Sequence, residues 1–134
     1  MTNDTDEVTM QALSYADFQQ INIVRRVMGA LGADFAGALA AAKSFAALRA
    51  VVLEINSAQR GSFASAARRH AGVCSSGERL VLLGLLTLCD FAKIADDIVD
   101  DRRRREGGAL NQLFGGGDDD TRAALGACIQ NAYY

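Results

Sequence analysis

The segment 96–105 concentrates the residues of this chain that could do chemistry: Asp96, Asp97, Asp100 and Asp101, followed by Arg102, Arg103, Arg104 and Arg105. On a helix, Asp96 and Asp100 stand one turn apart on one face, and Asp97 and Asp101 do the same on the next. Carboxylates at that spacing suit Mg²⁺, a hard ion held by one or two carboxylates plus phosphate oxygens. Asp96 and Asp100 are therefore the candidate metal pair. The same residues also fit a solvated helix end, where aspartates and arginines pair three and four positions apart for ~0.2–0.5 kcal/mol each. Charge runs usually mark exposed faces. That plainer reading is preferred, with no metal and no cofactor, and it leaves all eight residues as a charged corner for a protein partner.

The stretch 91–105, Phe-Ala-Lys-Ile-Ala-Asp-Asp-Ile-Val-Asp-Asp-Arg-Arg-Arg-Arg, resembles the aspartate-rich motif of polyprenyl diphosphate synthases. The resemblance implies a magnesium-diphosphate enzyme, with Asp96 and Asp100 holding the metal and the arginines on the phosphates. The second aspartate-rich helix of that family has no counterpart, since Asp118, Asp119 and Asp120 follow three glycines and lack the spacing. The run from Leu80 through Ile98 also loosely resembles winged-helix regulators. That implies a support helix over 79–88, a first motif helix over 91–99 and a recognition helix over 102–114 in the major groove. Gly107 and Gly108 would then sit inside the recognition helix at ~1 kcal/mol each, and the wing would be Gly115-Gly116-Gly117-Asp118-Asp119-Asp120, which repels phosphate. Nucleic acid is thus an alternative partner and not the favoured one.

The remaining reactive side chains are few. His70 is the single histidine, which excludes an ordinary zinc set. It stands beside Arg68 and Arg69 near an expected helix end, where a cation is favoured. No serine lies in a Gly-x-Ser-x-Gly elbow, and the glycines match neither nucleotide-binding pattern. Cys74 precedes two serines at a helix start, a place that can favour the thiolate; an inert thiol is the plainer reading. Cys89 and Cys128 lie on apolar faces and read as core. Three cysteines without a Cys-x-x-Cys pair argue against a disulfide framework and for a reducing cytoplasm.

The elements that must position these residues are helical. The chain has 134 residues, half of them hydrophobic, no proline and a formal charge of −2. That length suits one domain with one core, and the charge argues against a general nucleic-acid binder. Residues 1–12 read as a flexible acidic tail, and 13–134 as a single helical domain. The polar start is no signal peptide, and the apolar run 80–89 is too short to cross a bilayer.

Phe18, Ile21, Val24, Met28 and Leu31 repeat at three and four and predict a helix over 14–31, capped by Ser14. Asp34 is expected to cap an alanine-rich helix reaching Asn56, central to the bundle or part of a homodimer face. Ser62 would cap a short helix over 63–70. Ser75 with Glu78 forms a capping box for a helix over 75–88, apolar nearly all round and so the most buried. Asp90 would cap a helix over 91–101, which the arginines either continue or end. A short segment over 109–114 follows, helical or a strand, and then a helix capped by Asp119 or Asp120.

The fold expected is an all-α compact bundle of five to six helices that pairing with a second copy would complete. The core expected is Phe18, Ile21, Val24, Phe35, Leu39, Phe45, Val52, Leu80, Leu83, Leu86, Phe91, Ile94 and Leu125. The function expected is a non-enzymatic intracellular regulator or adaptor that binds a protein. A helix-turn-helix DNA binder using 91–114 comes second and the magnesium-diphosphate enzyme third.

Overall fold

The structure, a computed structural model, describes residues 13–106 and 119–132, and for 101–106 the backbone alone. All regular structure among these residues is helical: α1 (Tyr15–Phe18), α2 (Asn22–Leu31), α3 (Ala33–Ala41), α4 (Phe45–Ala58), α5 (Ser62–Ala71), α6 (Ser76–Leu88), α7 (Ala92–Glu106) and α8 (Asp119–Gln130). The expected segment 109–114 lies outside the described residues.

The described residues form eight helices where five to six were expected, because two long segments are broken, and one contact joins the two breaks. Ser14 caps α1 as its type predicts, its Oγ accepting from the Asp17 amide at 3.1 Å. The helix then stops after one turn. The Tyr15 hydroxyl donates to the Leu39 carbonyl at 2.6 Å, and Gln19 Nε2 donates to the same oxygen at 2.9 Å. The last carbonyls of a helix have no partner within it, so α1 satisfies the end of α3 and the chain must turn at 19–21 to do so. The alanine-rich segment breaks correspondingly at Ala42, which is extended, and Ser44 restarts it by accepting from the Ala47 amide. The alanine-rich part is therefore not one central helix. Ala33, Ala40, Ala41, Ala46 and Ala50 are exposed.

Three expected caps also differ. Asp34 accepts from Gln59 Nε2 at 2.8 Å, and Gly32 occupies the cap of α3. Helix α5 is capped by Asn56 of the preceding helix, whose Oδ1 accepts from the Phe63 and Ala64 amides, and not by Ser62. Asp90 ends α6 instead of starting α7. It takes the left-handed conformation (φ 71°), with the Phe91 amide returning to the Leu86 carbonyl and the Asp90 amide to Thr87. Arg60 (φ 57°) ends α4 by the same pattern. This is the Schellman arrangement, which usually places glycine at that position.

The core gathers on α6, as its unbroken apolar pattern predicts. Leu80, Val81, Leu82, Leu85, Leu86 and Leu88 are all buried, and α2, α5, α7 and α8 pack around them. Phe63 meets Phe35 edge-on at 5.0 Å and Phe91 at a tilt at 5.2 Å between ring centres. Of the expected core, Ile21, Leu83, Phe91, Ile94 and Leu125 are only partly buried; Val27 and Phe63, and Leu82, Leu85 and Leu88 of the helix expected to be the most buried, are fully buried. Helix α8 crosses α6 at Gly84, where an added Cβ would stand 3.1 Å from Cys128 Cβ and 3.2 Å from Leu125 Cδ1.

Gly84→Ala sets about 1 kcal/mol of helix propensity against 1–3 kcal/mol of overpacking; we expect a net loss of about 1 kcal/mol in chemical denaturation. Gly126→Ala on the open side of α8 meets nothing within 4 Å and should gain up to about 1 kcal/mol.

Candidate functional site

Helix α7 carries the charged corner. Its register turns Ala95 and Ile98 inward, both buried, and leaves Asp96 and Asp100 exposed. Asp97 is half-buried and bridges two elements: Arg68 Nη2 of α5 lies 3.3 Å from its Oδ2, and Lys93 Nζ lies 4.0 Å from its Oδ1. Beyond Asp100 the helix continues without interruption through Arg102, Arg103, Arg104 and Arg105 to Glu106. The turn that a helix-turn-helix would need between Val99 and Arg102 is thus absent. No glycine or proline interrupts 92–106, and carboxylates one turn before arginines support a helix in that polarity. Asp96 and Asp100 share a solvent-facing side of α7, and no group of three or more potential metal ligands occurs among the described residues.

A second polar cluster joins α2, α5 and α6, and sequence reasoning missed it. Ser75 caps α6 as expected, its Oγ accepting from the Glu78 amide at 3.2 Å. The Glu78 carboxylate does not complete the capping box. Its Oε2 takes Arg26 Nε at 3.2 Å and its Oε1 faces His70 Nε2 at 3.6 Å. A carboxylate in the first turn of α6 suits the positive end of that helix's dipole. Arg26 and Glu78 are 52 residues apart, so no local pattern could have paired them.

Between α5 and α6 lies the loop 72–75. Val73 is 82 % exposed, the largest exposure of any bulky apolar residue described. Cys74 is half-buried, with Sγ 4.0 Å from the Ala71 carbonyl. Arg79 is only 5 % exposed, and its Nη2 donates to the Cys74 carbonyl at 3.2 Å. Its Nε has no hydrogen-bond partner.

The other two thiols are buried, as their apolar surroundings in sequence predict. Burial raises Cys89 to about 12, against the lowering effect of Arg49 and with Asp90 adding to the rise. Burial also holds Cys128 well above the ordinary thiol range. Arg49 spans this end of the bundle, donating from Nε to the Leu88 carbonyl at 2.8 Å and from Nη2 to the Asn131 carbonyl. Tyr15 is raised to about 12, by burial first and by Cys89 second.

These raised values predict a sensitivity to alkali. The neutral forms of Tyr15 and Cys89 are retained in the fold and given up more readily by the unfolded chain. Their contribution is therefore complete below about pH 9 and is lost as pH rises towards about 12. Denaturation midpoints should fall across that window, and spectrophotometric titration should show a late tyrosine that disappears in Tyr15→Phe. A flat profile would contradict the burial described. No protein-family model, curated protein or solved structure matches this chain.

Proposed function

We propose that this chain is a non-enzymatic cytoplasmic regulator or adaptor that binds another protein through the outer side of α7. The binding surface is Asp96, Asp97 and Asp100, continued along the helix by Asp101, Arg102, Arg103, Arg104 and Arg105. The observation that carries the reading is the single uninterrupted helix through these positions, which puts the acidic and then the basic part of the sequence on one element. Ala95 and Ile98 anchor that helix to the bundle. Alternating blocks of charge give a partner both register and orientation, because matched charge steers encounter and mismatched charge is penalised. Homodimerisation is the second part of the proposal, across the exposed alanines of α3 and α4, where small side chains let helices approach closely.

Photo-crosslinkers placed at 96 and 100 should capture one protein from cytosol, and one at the exposed Gln130 of α8 should not. Capture should fall at least ten-fold when the four arginines become glutamate, a change of about 1.4 kcal/mol. Equal capture by the charge-reversed chain would overturn the reading. So would a salt-dependent shift of duplex DNA, or a melting temperature raised by Mg²⁺ and restored by Asp96→Asn with Asp100→Asn. A monomer in sedimentation equilibrium would remove the homodimer.

A further inference from the structure

We draw no further inference here: the strongest candidate, the polar cluster of Arg26, His70 and Glu78 where α2, α5 and α6 meet, is made of side chains that face one another, and nothing in the structure points to a ligand or partner that they would take.

Discussion

Helix α6 is the constraint on which the rest depends. Its residues are apolar on nearly every side, so it can be stable only if other helices cover it from several directions at once. Helices α2, α5, α7 and α8 supply that cover. Each contributes a narrow inward stripe: Val24, Val27 and Met28; Phe63, Ala66 and Ala67; Ala95 and Ile98; Ala124, Ala127 and Cys128. The alanines among them let the helices approach α6, and at Gly84 the missing side chain leaves room for Cys128 and Leu125 of α8. A chain of this size has room for one such axis, and the burial it brings is the main force holding the fold together.

The connections show how a chain without proline turns corners. Two of them place a non-glycine residue, Arg60 or Asp90, in the left-handed region, where an L-residue gives up roughly 1–2 kcal/mol. The return is that each turn satisfies the last carbonyls of one helix while aiming the next. In the first of these turns Asn56 also caps the start of α5 from the end of α4. Tyr15 and Gln19 do the equivalent for α3 from outside it. The end of α3 and the start of α5 are thus closed by residues of other helices, while Ser14, Ser44 and Ser75 cap the helices that they begin.

Charge is distributed by the same geometry. The half-buried carboxylates Glu78 and Asp97 each draw a cation from another helix, tying α2 to α6 and α5 to α7. The exposed carboxylates Asp96 and Asp100 face outward on α7. Arg79 alone carries a buried positive charge against a backbone carbonyl, beside the one thiol that is not sealed in the core.

The helical class, the cap at Ser75, the burial of α6 and the core placement of Cys89 and Cys128 were legible in the order of residues, because each follows from periodicity or from a side chain reaching three positions along its own backbone. The breaks at 19–21 and 42–44, the capping of α5 by Asn56 and the pairing of Arg26 with Glu78 were not, because each is set by a group far away in sequence. Periodicity states that a segment has an apolar face; it cannot state whether a neighbour's unsatisfied carbonyl will pull the segment apart. The types and spacing of Asp96, Asp97, Asp100 and the following arginines were likewise visible from the sequence alone. Which of those aspartates faces water and which is held by Arg68 was decided only when α5 and α7 packed together, since burial and distance, and not residue type, determine whether a carboxylate is engaged.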